Sequence, residues 1–183
     1  DGFYKRLSSY FGLLQKPTRI LDIGAGTGTI ARYVAANGHM VSALDPSPEM
    51  LDECRRLEQA SRPNCPKWQH PISYHAGATA ENTGIKESAS FDLVFAGQCW
   101  HWFDAPRALA EVKRLLATNN KENRLIIVHF DWLLLPNTIG LWTSDLISKY
   151  NPRWNEMMVQ SSNGSGFYPQ WTFPLHTAGF TDV

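Results

Sequence analysis

Three glycines and one aspartate have the spacing of a ligand site. Gly24, Gly26 and Gly28 follow a short apolar run at alternate positions and open a helical pattern, and Asp45 closes the next apolar run. Glycine permits a tight turn and lets a ligand lie against bare backbone, while a helix N-terminus offers unpaired N–H groups. A carboxylate at the end of the second strand can accept hydrogen bonds from both hydroxyls of a ribose. These residues predict a site for a dinucleotide, a phosphate or another adenosyl compound.

The exact positions of the glycines separate these ligands. A nicotinamide or flavin loop of the form GxGxxG would have its third glycine at position 29, where this chain has Thr29. The chain instead has GxGxG, preceded by the acid Asp22. The spacing therefore disfavours a nicotinamide-dependent oxidoreductase. A strand-to-helix turn that binds no ligand remains the alternative interpretation.

The elements that position these residues alternate between strands and helices. Short apolar runs predict five strands, and apolar positions at helical spacing predict five helices. Buried strands separated by helices indicate an α/β fold, a Rossmann-like doubly wound and mostly parallel sheet with helices on both faces. Ligands of such sheets bind at the carboxyl ends of the strands. The predicted strands are 18–23, 40–45, 72–77, 91–97 and 124–130, and the predicted helices are 3–14, 28–37, 47–61, 105–118 and 138–150.

Composition and charge narrow the class of protein. With 183 residues, 43% of them apolar, the chain is long enough for one substantial core, so we expect a single domain over 1–183. With a formal net charge of +0, the chain has no net electrostatic attraction to nucleic acid or to an anionic membrane. This favours a small-molecule partner. The three cysteines are unevenly spaced without CxxC, which indicates neither a disulfide framework nor a zinc site. We expect a cytoplasmic protein that holds no metal and has no membrane span.

Four segments in a fixed order resemble a known family. They are "DIGAGTG" at 22–28, Asp45 after the second strand, "GATAENTGI" at 77–85 and "FDLVFAGQCWHWFD" at 91–104. Together they resemble class I S-adenosylmethionine-dependent methyltransferases, and "HWFD" resembles the type 11 group that includes trans-aconitate methyltransferases. The resemblance covers roughly residues 18–130. It implies a Rossmann-like methyltransferase fold, S-adenosylmethionine as cofactor and S-adenosylhomocysteine as product.

The resemblance also implies which residues contact the cofactor. The glycine loop lets the cofactor lie against backbone, the acid after the second strand binds the ribose, and the 77–85 segment lines the adenine. Surface loops and ordinary turns are the alternative for the 77–85 segment and for Asp45. The expected cofactor-binding residues are Asp22, Gly24, Ala25, Gly26, Thr27, Gly28, Asp45, Pro46, Ser47, Met50, Thr79, Ala80, Glu81, Gln98 and Cys99.

The acceptor side is less explicit, and His101 is the candidate catalytic residue. Methyl transfer from a sulfonium is an in-line displacement, so an ionised carboxylate acceptor needs no general base, whereas a hydroxyl or amine does. Trp102 flanks His101 and can exclude water, and Trp132 and Trp142 belong to a segment, 131–166, that we expect to cover the acceptor site. We therefore predict a substrate-binding set of His101, Trp102, Trp132 and Trp142, with ordinary packing as the alternative for each.

Two further chemistries at the end of the fourth strand are disfavoured. Carbon methylation of pyrimidines would need Cys99 as nucleophile after a proline, and Gln98 stands there instead. Methylation of an exocyclic base amine usually accompanies a proline-rich tetrad, which "QCWH" is not. We expect Cys99 to line the site.

The sequence as a whole predicts methyl transfer from S-adenosylmethionine to a small-molecule acceptor, and the resemblance to trans-aconitate methyltransferases suggests a carboxylate. A non-catalytic S-adenosylmethionine-binding scaffold or regulatory module is the alternative from another class. "AGFTDV" at 178–183 resembles the start of a sixth strand, so we expect a C-terminal truncation that leaves out the final hairpin of the seven-stranded sheet. The acceptor and the oligomeric state are left open.

Overall fold

A computed structural model describes Lys5, Ser9 and residues 16–116, 123–129, 136–153 and 174–180 of the chain. The chain divides into two compact units, Asp1–His129 and Phe130–Val183. The sheet lies in the first unit, and one longer helix lies in the second. The expectation of a single domain over 1–183 stays a prediction.

The described elements alternate in the predicted order. The strands are β1 (Arg19–Ile23), β2 (Met40–Asp45), β3 (Ser73–Ala76), β4 (Leu93–Gly97) and β5 (Arg124–Val128). The helices are α1 (Thr29–Ala36), α2 (Pro48–Ser61), α3 (Ala105–Leu115) and α4 (Ile139–Tyr150), with 3₁₀ turns at Arg62–Asn64 and Trp100–Trp102.

The five strands form one parallel sheet in the order β3-β2-β1-β4-β5. The chain reverses its direction of progress between β1 and β4, which is the topological switch point where α/β sheets bind ligands. In the register, Ile23 at the end of β1 pairs with Leu44 of β2 and Ala96 of β4. The residues that follow β1, β2 and β4 therefore emerge beside one another, and the predicted parallel Rossmann-like sheet is confirmed.

The core lies around the central strands. Ile20 and Leu21 of β1 and Val94 and Phe95 of β4 are fully buried. Burial of each such side chain contributes about 1.5–3 kcal/mol relative to exposure. These strands are therefore the rigid support from which the loops at their carboxyl ends project.

Side-chain caps fix where the helices begin. Ser47 Oγ accepts a hydrogen bond from the Met50 N–H at 3.3 Å, as expected for the predicted N-cap of α2. Asp104 caps α3 by accepting the Arg107 N–H, and Thr138 caps α4 by accepting the Leu141 N–H. Each cap therefore fixes the residue at which its helix begins.

Some predicted boundaries differ from the structure. The fourth strand begins at Leu93 because the Asp92 carboxylate accepts the N–H and guanidinium of Arg19, and Phe91 forms only an isolated bridge with Leu116. The polar loop predicted at 62–71 begins with a 3₁₀ turn. Of the predicted helix 3–14, Lys5 and Ser9 are described and are helical. Residues 174–177 form a helical turn, and 181–183 lie outside the described residues.

Candidate functional site

The glycine loop after β1 is held in backbone conformations that favour glycine. Gly24, Gly26 and Gly28 have φ angles of +65°, +54° and +77°. A side chain at Gly24 would place its Cβ 2.8 Å from Cys99, and one at Gly28 would collide with the Cys54 thiol. A Cβ at Gly26 meets no described atom within 4 Å. Packing therefore requires the outer two glycines, whereas Gly26 borders open space of the kind a ligand would fill.

Asp45 ties the end of β2 to this loop. Its side chain is buried, with 8% exposure, and Oδ2 accepts the Gly26 N–H at 2.8 Å. Oδ1 accepts the Ser47 N–H at 2.9 Å, the hydrogen bond of an Asx turn. An ionised carboxylate has about four acceptor positions, so each oxygen keeps capacity for a ribose hydroxyl beside its backbone bond. The turn and ribose interpretations of Asp45 are therefore compatible.

Further backbone bonds fasten the loop to its surroundings. The Ala25 N–H donates to the Leu44 carbonyl at 2.9 Å, and the Gly28 N–H donates to the Ala25 carbonyl at 2.8 Å. The Thr27 carbonyl accepts from Arg32 Nε at 3.3 Å. The loop is thus preorganised between β1, β2 and α1, which reduces the ordering cost of binding a ligand.

The start of α2 continues the site beyond Asp45. Pro46 is exposed, Ser47 is the N-cap, and Met50 is exposed although it is a large apolar side chain. These three predicted residues therefore come shortly after Asp45 along the chain. Their contacts with a cofactor stay predictions.

Asp22 lies beneath the loop, with 2% exposure. Its Oδ2 accepts the Ala31 N–H at 2.9 Å and so satisfies a donor in the first turn of α1. Burial raises the pKa of Asp22 to about 7, the charge of Asp45 adds to the rise, and the bond from Ala31 opposes it. The structure gives Asp22 an anchoring role for α1, and a direct cofactor contact stays a prediction.

The raised pKa predicts a pH-dependent stability. The folded state holds the Asp22 proton more tightly than the unfolded state, in which the carboxyl has its ordinary pKa of 3.8. The stabilisation is therefore complete below that value and is lost as the pH rises through about 7. Asp22→Asn keeps an oxygen for the Ala31 N–H and cannot ionise. Urea unfolding between pH 4 and pH 8 should show the wild type losing stability relative to Asp22→Asn as the pH rises, and a constant difference would contradict this burial.

Cys99 and Gln98 follow β4 directly beneath the loop. Cys99 is buried, and its thiol donates to the Ile23 carbonyl at 3.1 Å. Burial, together with the charges of Asp22 and Asp45, raises the pKa of the Cys99 thiol to about 12, so it is not a thiolate at neutral pH. Gln98 has φ +59° and donates its N–H to the Val128 carbonyl at 2.8 Å, which turns the chain out of β4. The protonated thiol agrees with a lining role for Cys99.

The predicted adenine segment is a tight loop fastened to α3. Thr79 and Asn82 exchange two backbone hydrogen bonds of 3.2 Å, and the side chain of Ala80 between them is buried. Glu81 Oε1 accepts the Asp104 N–H at 2.8 Å. Burial would raise the pKa of Glu81, but backbone N–H donors and Thr79 hold it below its usual value. Thr79, Ala80 and Glu81 are therefore fixed in place, and their contact with adenine stays a prediction.

A second fastening of this loop was missed from the sequence. Glu111 of α3 accepts the hydroxyl of Thr83 and the guanidinium of Arg114. Hydrogen bonds from Arg114, aided by Thr83, lower the pKa of Glu111 to about 2 against the opposing effect of burial. The only signal in the sequence is the acid–base pair at i and i+3 on a helix.

The 3₁₀ turn after β4 contains two tryptophans that differ in exposure. Trp100 is buried and meets Phe103 edge to face, so it is a packing residue. Trp102 is 79% exposed, and its ring centroid lies 4.7 Å from that of the exposed His101. The expectation that Trp102 excludes water stays a prediction. Trp142 lies on α4 in the second unit with 60% exposure, and Trp132 lies outside the described residues.

His129 is a neighbour of His101 that the sequence did not indicate. It follows β5 directly, and its ring centroid lies 5.7 Å from that of His101 with the planes at 81°. Partial burial, aided by the nearby His129, lowers the pKa of His101 below 6.5. The available signal was its position along the chain. His129 comes at the carboxyl end of β5, as Asp45 does at the carboxyl end of β2.

A groove of about 730 Å³ lies between α2 and β3, but its buried Glu58 is occupied by the Ile72 N–H and the Tyr74 hydroxyl. None of the predicted site residues lines it.

Within the described residues no three His, Cys, Asp or Glu side chains are grouped as metal ligands. The described helices are all too short or too polar to cross a membrane.

The residues at the switch point fit an adenosyl cofactor. Gly26 leaves space against the backbone, and Asp45 retains acceptor capacity beside it. The loop and α1 add backbone donors at a helix N-terminus. These features are local to the first unit, where the glycine loop, β2 and the 77–85 segment meet.

Comparisons with known proteins agree with this geometry. Residues 21–121, more than half of the chain, match the type 11 methyltransferase domain family. An uncharacterised methyltransferase of Mycobacterium tuberculosis is 39% identical over 98 residues, which are 54% of this chain and 35% of that protein. A malonyl-[acyl-carrier protein] O-methyltransferase of Enterobacter lignolyticus is 36% identical over 54% of this chain and 34% of its own length.

Two further proteins extend the likeness over more of the chain. An S-adenosyl-L-methionine-dependent Diels-Alderase of Talaromyces variabilis is 30% identical over 91% of this chain and 54% of that protein. A solved S-adenosylmethionine-dependent methyltransferase of Methanosarcina mazei has a TM-score of 0.55 and 25% identity, over 69% of this chain and 58% of that one. The chain spans about a third to a half of the length of these curated relatives. With the family match, the glycine loop and the sheet order in agreement, the chain belongs to the methyltransferase domain family, a class I fold whose cofactor is S-adenosylmethionine.

Proposed function

We propose that this chain transfers the methyl group of S-adenosylmethionine to a small-molecule acceptor. The observation that carries the proposal is the contact between Gly26 and Asp45, in which an open glycine and a buried carboxylate meet at the switch point. The neutral net charge supports a small molecule over a nucleic acid as acceptor. Three free cysteines support a cytoplasmic location.

Positioning supplies much of the catalysis in this proposal. The cofactor supplies an activated methyl group on a sulfonium. When the cofactor is bound, Asp45 would bind and orient its ribose. The glycine loop would contact the part of the cofactor beside the ribose, and the fastened 79–81 loop would hold the adenine. In-line displacement then requires the acceptor atom to be held about 3 Å from the methyl carbon. The loops are held by backbone hydrogen bonds, so little reorganisation is needed when the acceptor arrives.

A carboxylate is the acceptor class that the residues support best. It is ionised at pH 7 and needs no general base. His101 is the one titratable candidate of the predicted acceptor set, and its side chain is exposed. The malonyl-[acyl-carrier protein] O-methyltransferase among the relatives acts, by its name, on an oxygen of a malonyl group. These points together favour methyl ester formation.

The direct test uses methyl-labelled cofactor with a panel of acids, phenols and amines. We expect label to enter an acid and to be released as methanol on mild alkaline treatment, because methyl esters are base-labile. Label in an ether or a methylamine survives that treatment and would contradict the carboxylate assignment.

His101→Gln tests how that residue acts. If His101 orients an ionised carboxylate, the variant raises KM for the acceptor while kcat changes little, and kcat shows no titration below pH 6.5, where the lowered pKa of His101 lies. If His101 is a general base, kcat falls by roughly 100-fold and a limb of the pH profile disappears. We expect the first result. Steady-state kinetics across pH 5.5–8.5 distinguish the two.

A second candidate is a protein that binds S-adenosylmethionine without transferring its methyl group. The Diels-Alderase relative aligns with 91% of this chain, more than the methyltransferase relatives described above. In that case S-adenosylmethionine would survive each turnover, or the chain would act as a scaffold. Accumulation of S-adenosylhomocysteine in proportion to product supports methyl transfer, and its absence during product formation supports this candidate.

A further inference from the structure

The 77–85 segment leaves the carboxyl end of β3 in contact with Asp45. Its first residue, Gly77, donates its N–H to the Asp45 carbonyl at 3.0 Å. The segment opens the connection from β3 to β4, and these strands lie on opposite sides of β2 and β1 in the sheet. It meets the β4 side at Asp104, whose N–H donates to Glu81 at 2.8 Å. The segment therefore runs beside the switch point, from the predicted ribose residue to the start of α3.

Three side chains hold the later part of this segment to α3. Glu111 accepts the Thr83 N–H at 3.4 Å and the Thr83 hydroxyl, and it accepts two bonds of 2.7 Å from the Arg114 guanidinium. Arg114 also donates to the Ile85 carbonyl at 2.7 Å, and Thr83 Oγ1 accepts the Ile85 N–H at 3.3 Å. Thr83 is buried, with 2% exposure. We call this set of bonds the Thr83–Glu111–Arg114 network.

The network orders a segment that has no regular secondary structure. Residues 77–85 belong to none of the helices and strands given above, so their shape depends on tertiary hydrogen bonds. A loop that is ordered before its ligand arrives spares the ligand the entropy cost of ordering it. Without the network the segment would keep its bonds at Gly77 and Glu81 but lose those at Thr83. Binding would then have to order it, and that cost falls on the part of the ligand that the segment contacts.

We propose that Thr83 and Glu111 are positioning residues that set the affinity of the site for the adenine base and its preference for adenine over other bases. They act through the 77–85 segment and need not touch the cofactor. This inference rests on the proposed function, in which that segment holds the adenine of S-adenosylmethionine. It makes α3 a determinant of cofactor specificity, although the sequence indicated no cofactor residue on that helix.

Two substitutions at Thr83 separate its hydrogen bonds from its packing. Thr83→Val keeps the branched shape and removes the hydroxyl, whereas Thr83→Ser keeps the hydroxyl and loses a methyl group. We expect Thr83→Val to weaken the binding of S-adenosylhomocysteine about fivefold to tenfold, and Thr83→Ser to stay within about twofold of wild type. Isothermal titration calorimetry measures both affinities. If Thr83 only packs, serine is the more damaging of the two.

Glu111→Ala removes the acceptor at the centre of the network, and Asp92→Ala is its matched control. Asp92 likewise accepts a backbone N–H and two guanidinium bonds, all from Arg19 at the amino end of β1. Both variants should lose thermal stability. Only Glu111→Ala should weaken S-adenosylhomocysteine, by about fivefold or more. Amide hydrogen exchange at 79–82 should quicken in the ligand-free Glu111→Ala protein and stay unchanged in Asp92→Ala.

S-inosylhomocysteine, which differs from S-adenosylhomocysteine only in its base, gives a readout that a merely structural role would not move. Its weaker binding is followed through backbone amide shifts. We expect the wild type to bind the adenine ligand about tenfold or more tightly than the inosine ligand. In Thr83→Val and Glu111→Ala this ratio should fall towards one, because the affinity for the adenine ligand drops while that for the inosine ligand changes little.

The possible failures are distinguishable. Unchanged affinity for S-adenosylhomocysteine in folded Thr83→Val and Glu111→Ala proteins overturns the inference and leaves the adenosyl site in place. Equal losses for both ligands, a wild type that does not prefer adenine, or the same loss in Asp92→Ala overturns it as well. A wild-type chain that fails to bind S-adenosylhomocysteine overturns the proposed function and, with it, this inference.

Discussion

Gly26→Val should abolish binding of S-adenosylhomocysteine while the chain stays folded. A valine side chain there would enter the open space beside the loop, where no described atom lies within 4 Å of the added Cβ. The ligand that fills this space would be displaced. The positive φ of +54° adds strain of about 1–2 kcal/mol, a cost that a stable domain survives. Isothermal titration calorimetry measures the affinity, and circular dichroism checks the fold.

Gly38→Val is the control for this substitution. Gly38 has a φ of +95°, and a Cβ there meets only the Lys67 carbonyl oxygen, at an ordinary contact distance of 3.5 Å. It therefore brings backbone strain at a positive φ outside the predicted site, and S-adenosylhomocysteine should bind it with wild-type affinity. A folded Gly26→Val protein with unchanged affinity would place the adenosyl site elsewhere.

Asp45→Ala should weaken the binding of S-adenosylhomocysteine by about 1.5–3 kcal/mol, or roughly 10-fold to 150-fold in Kd. This is the range for hydrogen bonds to a charged group. The substitution removes the predicted ribose acceptor. It also frees the Gly26 and Ser47 N–H groups from the carboxylate that orders them. Calorimetric titration gives the change directly.

Asp52→Ala is the comparison for that experiment, because Asp52 is an exposed acid on α2 whose partner is Arg55. It should change the affinity little, since exposed ion pairs contribute only about 0–1 kcal/mol even to stability. Equal losses in the two variants would mean that Asp45 has no special role.

The sheet and the cofactor loop were predictable because their signals are local. Apolar runs specify β1, β2 and β4, and the bounds of β2 agree with the predicted 40–45. Ser47 and Pro48 mark the start of α2 because cap and first-turn preferences act over a few residues. The GxGxG spacing likewise reports a backbone requirement, which the three positive φ angles show.

The rest of the site depends on contacts between distant residues, which spacing does not reveal. The glycine loop was assigned to a ligand as a whole, but packing against Cys54 and Cys99 accounts for two of its glycines. Asp22 belonged to the motif, yet its bond to Ala31 depends on how α1 folds back. His129 lies beside His101 because β4 pairs with β5 in the sheet.

The most direct test of the adenosyl site is a titration of the ¹⁵N-labelled chain with S-adenosylhomocysteine, followed through its backbone amide resonances. We expect saturable shifts at Gly24, Gly26, Gly28 and Asp45, with further shifts at 79–81 and 98–99. The groove between α2 and β3, around Trp68 and Tyr74, should be unaffected. Shifts confined to that groove, or the absence of any saturable change, would contradict a cofactor site at the carboxyl ends of β1 and β2.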